Sequence, residues 1–454
     1  MIRQRSFDRG QARPRRGTWY FAAAAPAVAA LLVVSGCSSS AKSGSATGST
    51  AASASSSTST ASGAPANGQV VTDLVSYTGG KSGQADSSLK PITLGWVNQQ
   101  GGPLGFPNST AGAQAAVTYI NSNLGGINGH PLKLATCYVV NSEQEGNTCG
   151  LQLVNNADVE AILYGTLLTG DQSLQAVNAG KKPILMANSI NPTDAGQKNV
   201  FIFNGNPMSF FGGTAAYVHS VLKAKSVAVI YPQNAQSIGG VAALGTALKA
   251  VGISLKAVGF DPSTTNLTSA ALAAGAQTAD VVLPLVSDPP SCIAAAKALS
   301  SLGVTKPIIS IGTFCFGPPV AKGLGGSAPK WTQLSSQTNV LDTSEPDVSA
   351  YLAESAKVGL SPDVQTDSNA ALAWSLVMTA TRFLNSGGGA SATVETIATQ
   401  AKAFTGPLLL GSAAVKCGTA AATAGLCGAQ MRAFQHLGDN KFQAVSDWLN
   451  PVGP

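Results

Sequence analysis

Charge, histidine and clustered basic residues are all scarce in this chain of 454 residues, of which only 11% are Asp, Glu, Lys or Arg. Each scarcity removes a class of function. The three histidines, His130, His219 and His436, lie far apart and no Cys-x-x-Cys occurs, so no metal site is expected. There is no Gly-x-Ser-x-Gly turn to raise a nucleophile and no recognisable acid–base pair, so no catalytic residue is expected. Gly80-Lys81-Ser82 lacks the glycine that a phosphate loop places five residues before its Gly-Lys pair, where Val75 stands, and no cofactor is expected. Six arginines (Arg3, Arg5, Arg9, Arg13, Arg15 and Arg16) fall with Asp8 in the first 36 residues, and beyond them the formal charge drops from +6 to +1. A nearly neutral remainder lacks the cationic surface that phosphate neutralisation needs, so nucleic acid is not an expected partner.

What the chain does have begins at its N-terminus. The arginine-rich start leads into an apolar run from Phe21 to Val34, too short to span a bilayer, and then into Val34-Ser35-Gly36-Cys37. This order resembles a bacterial lipoprotein signal, in which residues 1–36 are removed and Cys37 is acylated. Each buried acyl methylene contributes about 0.8 kcal/mol, so several chains on one cysteine hold a protein at the membrane surface. The alternatives are an ordinary cleaved signal with Cys37 incidental, and a retained anchor. Residues 37–90 are dominated by Ser, Ala, Thr and Gly and read as a flexible tether with a reach of roughly 40 Å, in which Val70–Tyr77 is at most a short strand.

The remaining stretch, about 360 residues, exceeds the usual size of a single core and points to two lobes. Six cysteines follow Cys37 and form sequence-local couples, Cys137 with Cys149, Cys292 with Cys315, and Cys417 with Cys427. An even number in an exported chain suggests disulfides, although the pairing is not fixed by sequence.

From Pro91 onward, β-rich apolar runs alternate with Ala-rich segments of helical length, the pattern of a parallel sheet with crossover helices. Strands are expected at 92–97, 132–140, 159–165 and 183–187, with helices at 109–123, 143–155 and 171–179. A second series has helices at 208–222, 237–251 and 291–302 and strands at 226–231, 253–260, 279–286, 307–311 and 332–336. Asn204-Gly205-Asn206-Pro207 separates the two series, and helices at 347–358, 367–385 and 393–403 close the chain before a Gly-rich end. The expected fold is α/β, with two doubly wound Rossmann-like lobes joined by a multi-strand hinge. Residues 91–206 with 337–404 form lobe 1, and 207–336 with 405–454 form lobe 2.

Several segments carry a resemblance to a known family. They are Ile92-Thr93-Leu94-Gly95, Tyr119-Ile120-Asn121, Gly125-Gly126-Ile127-Asn128-Gly129-His130-Pro131-Leu132, Gly165-Thr166-Leu167-Leu168-Thr169-Gly170, Lys182-Pro183-Ile184-Leu185 and Ser226-Val227-Ala228-Val229-Ile230-Tyr231. In this order and spacing, from Pro91 to Val445, the chain resembles the type I periplasmic solute-binding proteins of ABC importers, particularly the branched-chain amino acid (Leu/Ile/Val) binding family. The resemblance also supports a Cys137–Cys149 bridge. It implies that hydroxyls and backbone N–H groups after the third and fourth strands hold a ligand carboxylate, while an acidic side chain of the second lobe meets an ammonium.

Carried over by position, the resemblance gives a mixed site. Thr169 matches a family Ser or Thr, but Leu168 stands where Ser is common, Asn188 falls at a Ser position, and Ile190 where a carboxylate-binding Thr is usual. Ser189 offers its N–H and hydroxyl. Gly312-Thr313-Phe314-Cys315 lacks the expected Asp, for which Asp288 is a substitute, although Pro289-Pro290 suits it equally to starting a helix. Phe106, Tyr231 and Phe314 are candidate apolar walls of the cleft or, alternatively, packing aromatics. These departures open the ligand to organic acids, amides and aromatic compounds as well as amino acids. The implied protein is a monomeric, non-enzymatic receptor on the outer face of the membrane. It is anchored through Cys37 and delivers a small-molecule solute to an ABC permease. A sensing lipoprotein without transport and a secreted α/β hydrolase are the alternatives.

Overall fold

The computed structural model describes residues 70–102 and 104–453. The signal at 1–36, Cys37 and the tether as far as residue 69 lie outside them. In lobe 1, strands β1 (Ile92–Gln99), β2 (Leu132–Val139), β3 (Val159–Tyr164), β4 (Ile184–Asn188) and β5 (Val200–Gly205) form a five-stranded parallel sheet in the order β2-β1-β3-β4-β5. Every residue of β1 is buried, as a central strand covered on both faces demands. β5 is a strand that the punctuation at 204–207 concealed, because a boundary was read where the sheet still had one member to add.

Lobe 2 opens with α5 (Pro207–Ala216), which runs into one π-helical segment at Tyr217–Val221. It continues with β6 (Ser226–Pro232), β7 (Ser254–Phe260) and β8 (Val281–Pro284), ordered β7-β6-β8. A second sheet, β12-β11-β10-β9, consists of β9 (Ile309–Ile311), β10 (Thr332–Ser335), β11 (Arg432–Gly438) and β12 (Lys441–Ala444). The two sheets meet where Val282 N–H donates to Pro307 O at 3.0 Å beside a parallel bridge to Ile308. The short helices Thr268–Ala274 and Pro318–Gly323 were not foreseen.

Helices α2 (Pro107–Asn123), α3 (Glu143–Val154) and α4 (Asp171–Asn178) cover the lobe 1 sheet, and tail helices return to it. The longest of these, Ser368–Ser386, crosses α2 so closely that a Cβ on Gly112 would lie 2.1 Å from the Ala370 carbonyl oxygen. Glycine is required there by backbone approach. Trp374 of that helix meets Tyr119 at a tilt and Tyr351 edge-on, and Val377 and Phe383 of the same helix join Leu94, Trp96 and Ile120 in one core.

Two expected boundaries move. Residues 70–90 are not all tether: α1 (Leu74–Thr78) is a helix capped by Asp73, and buried Val71, Leu74 and Tyr77 pack into the lobe 1 core. Three apolar side chains in seven residues supply enough burial to overcome chain entropy, so the proposed strand at 70–77 is also replaced. The segment 405–428 belongs with lobe 1, since Leu408, Leu409, Leu410, Val415 and Cys427 are part of the same core. Lobe 2 regains the chain only at Met431 and β11. Disulfides join Cys137 to Cys149, Cys292 to Cys315 and Cys417 to Cys427.

The chain crosses between lobes after β5, after β10 and before β11. These crossings lie side by side. Asn204 donates to Ser336 O at 2.9 Å, Thr338 N–H to Leu410 O at 3.0 Å, and Cys427 N–H to Ile202 O at 2.8 Å.

Candidate functional site

Each lobe reverses its strand order beside its first strand. β1 lies between β2 and β3, and β6 between β7 and β8, so in both lobes the loops leaving the first and third strands diverge. In open parallel sheets the crevice that results, at the carboxyl ends of the strands, is where ligands bind.

On lobe 1 this position is built by two buried amides at the end of β1. Asn98 Oδ1 accepts from Thr166 N–H at 3.0 Å, and its Nδ2 donates to Phe106 O at 2.9 Å. Gln99 Oε1 accepts from Leu168 N–H at 2.9 Å. The Thr166 hydroxyl donates to Asn369 Oδ1 at 2.9 Å, tying the β3 loop to the tail helix. Sequence reasoning ended the strand at Val97 and missed both amides. The signal was the polar run Asn98-Gln99-Gln100 directly after an apolar strand, where the pattern itself has no reason to turn polar unless partners wait.

The residue missed with most consequence is Glu143, first in α3. Its carboxylate sits at the N-terminus of α4, accepting from Gly170 N–H at 2.7 Å, Ser173 N–H at 3.1 Å, Ser173 Oγ at 2.8 Å and Thr169 Oγ1 at 3.1 Å. Burial pushes its carboxyl pKa up, but these donors outweigh that and leave it below the ordinary value. The Thr169 hydroxyl, expected to face a ligand, is thus donated to Glu143.

Ser189 is likewise engaged within the protein. It is buried, its N–H donates to Gly205 O at 3.1 Å, and its hydroxyl donates to Asp194 Oδ2 at 2.6 Å, with Asn191 O a second acceptor 2.8 Å away. Asn188, exposed at the end of β4, accepts from the Ser336 hydroxyl at 3.2 Å and so stands at the lobe crossings. Behind these loops burial, reinforced by Asp194 and Glu143, lifts the Asp171 carboxyl to about 6. Burial also raises Asp194, against hydrogen bonds from Ser189 and Gln175.

The lobe 2 side is less crosslinked. Asp288 is the N-cap of the helix Pro289–Ser301 and accepts from Ser291 N–H at 2.9 Å, the helix-starting role that its prolines suggested. Tyr231, like Phe210 and Phe211, is half-buried against the lobe 2 core. Phe314 is exposed in the loop after β9, and the neighbouring Cys315 pins that loop to the helix through Cys292. Phe106 is half-buried at the start of α2, and Leu168 is exposed. Of the candidates, Phe106, Leu168 and Thr169 gather at the lobe 1 reversal, whereas Tyr231 and Asp288 flank the lobe 2 reversal. Among the described residues no group of three or more His, Cys, Asp or Glu stands close enough to hold a metal ion.

Paired doubly wound lobes, each turning a strand-order reversal to its carboxyl edge and linked by several crossings, define a type I periplasmic binding protein fold. The chain belongs to the periplasmic binding protein family, whose sequence profile matches residues 91–436. That is a family of solute binders located outside the cytoplasm and without enzymatic activity. Similar solved structures include an ABC transporter solute-binding protein of R. palustris in complex with 4-hydroxybenzoate (TM-score 0.63, 16% identity, covering 80% of this chain and 98% of that one). Another is the branched-chain amino acid transporter substrate-binding protein LivJ of Streptococcus pneumoniae with isoleucine (0.61, 17%, 80% and 100%). A third is a fatty acid ABC transporter substrate-binding protein of Thermomonospora curvata (0.59, 15%, 82% and 95%). No curated protein sequence matches the chain. Among the described residues no helix is long and apolar enough to cross a membrane.

Proposed function

We propose that this chain is the substrate-binding lipoprotein of an ABC importer, tethered outside the cell through acylated Cys37, acting as a monomer that captures a small solute between its lobes and presents the closed form to a permease. The observation that carries this reading is the pair of strand-order reversals, one on each lobe, with the chain crossings beside them as the bending element. Closure follows from ligand contacts that touch both lobes, because a solute shifts an equilibrium only by its differential affinity for the two states. The solved relatives that bind hydroxybenzoate, isoleucine and fatty acid support a small organic solute without selecting one.

A thermal-shift screen over amino acids, organic acids and aromatic compounds tests the capture step. A true ligand at 100 times its Kd stabilises the protein by about 2.7 kcal/mol, whereas no shift with any class contradicts solute binding. Radiolabelled palmitate incorporated by the native chain and lost on Cys37→Ala checks the anchor. Unchanged labelling in the variant removes Cys37 from that role.

A further inference from the structure

Building on the solute-binding reading, we propose that the captured solute is uncharged and largely apolar, and that Glu143 sets this preference by filling the donor array that would otherwise hold an anion. The N-terminus of α4 points its N–H groups at the lobe 1 reversal, the natural seat for a carboxylate. That seat is taken: Gly170 N–H, Ser173 N–H and the hydroxyls of Ser173 and Thr169 all donate to Glu143. Two further donors of the loop are also committed, Thr166 N–H to Asn98 and Leu168 N–H to Gln99. One strand further on, Ser189 gives its N–H to Gly205 O and its hydroxyl to Asp194. A carboxylate approaching this seat therefore meets donors already given to Glu143 and the fixed negative charge of that residue, at a cost in lost hydration.

A ligand ammonium fares no better. The Glu143 carboxylate oxygens already accept four hydrogen bonds, and the Asp288 carboxylate is engaged in capping its own helix. Neither charge of a zwitterion has a waiting partner.

What these loops present instead is apolar. Leu104 after β1 is 65% exposed, Leu168 after β3 44%, Ile190 after β4 41% and Phe314 after β9 48%. Three lie on lobe 1 and one on lobe 2, each at the carboxyl end of its strand, where closure onto an apolar solute removes them from water.

The test is calorimetric titration of the full-length chain with pairs that differ in charge: 4-hydroxybenzoate against its methyl ester, and isoleucine against N-acetylisoleucinamide, with the neutral dye Nile red alongside. The uncharged member of a pair is expected to bind at least tenfold more tightly. Glu143→Ala, which vacates the four donors, and Glu143→Gln, which removes the charge without leaving a hole, are each expected to raise 4-hydroxybenzoate affinity at least tenfold, with folding checked by thermal melt. A charged member binding as well as its neutral partner overturns the inference and leaves solute capture standing. Unchanged 4-hydroxybenzoate affinity in both variants removes Glu143 from the selective role. Silence from every pair and from the dye overturns solute capture and the inference with it.

Discussion

The strand-end loops of lobe 1 are laced together by side chains, whereas those of lobe 2 are held mainly by helix caps and one disulfide. Asn98, Gln99 and Glu143 each bind backbone or hydroxyl groups on a neighbouring loop. Asn234 and Asp288 bond only within their own helix starts, to Ser237 and Ser291. Lobe 1 therefore offers a preorganised face held by Asn98, Gln99 and Glu143, and lobe 2 offers a less constrained face with Phe314 at its edge. On the proposed reading, the crosslinked loops of lobe 1 exclude charge and the looser loops of lobe 2 adapt to the solute.

The comparison breaks most severely at its foundation, the contact between α2 and the tail helix. Gly112→Val is expected to destabilise lobe 1 by about 3 kcal/mol or more, because its first carbon already overlaps the Ala370 backbone. Calorimetry should show the lobe 1 transition falling while that of lobe 2 stays. Replacing Cys292 and Cys315 together by Ser tests the opposite side. Opening this 23-residue link should cost about 2–4 kcal/mol and lower the lobe 2 transition alone.

Asn98→Ala sharpens the contrast from within lobe 1. It leaves the Thr166 N–H without its acceptor, so a loss of about 2 kcal/mol is expected, with faster amide exchange in the 165–170 loop than in the loops of lobe 2. The smallest effect is expected at Asp171. Its folded carboxyl pKa is raised to about 6 by burial, Asp194 and Glu143, so its contribution to stability is full at low pH and is lost as pH rises from about 4 to 6. Asp171→Asn should flatten that decline and gain about 1–2 kcal/mol at pH 7, read from urea midpoints across pH.

Much of the architecture was legible because local chemistry agreed with the fold. Ser142 and Glu145 form the capping box that starts α3, Asp288 with Pro289 starts its helix, and β-branched runs mark β1, β6 and β8. What escaped detection were short elements whose identity depends on distant neighbours. β5 was hidden by the Asn204–Pro207 punctuation, and β12 exists because β11 offers it an edge. The tail from Leu408 to Cys427 carries no periodicity and is held in lobe 1 by the core it completes.

The site was legible as a set of loops and not as a set of contacts. Thr169 and Ser189 stand near their expected positions, yet their hydroxyls serve Glu143 and Asp194, which approach from other segments. No spacing rule reaches across such a gap, since Glu143 precedes Thr169 by a helix and a strand.

The central claim, that two lobes close around a solute, is tested most directly by small-angle scattering of the purified chain with and without a compound whose binding calorimetry has established. The account predicts a fall in the radius of gyration at saturation. An unchanged radius with the solute bound would contradict it.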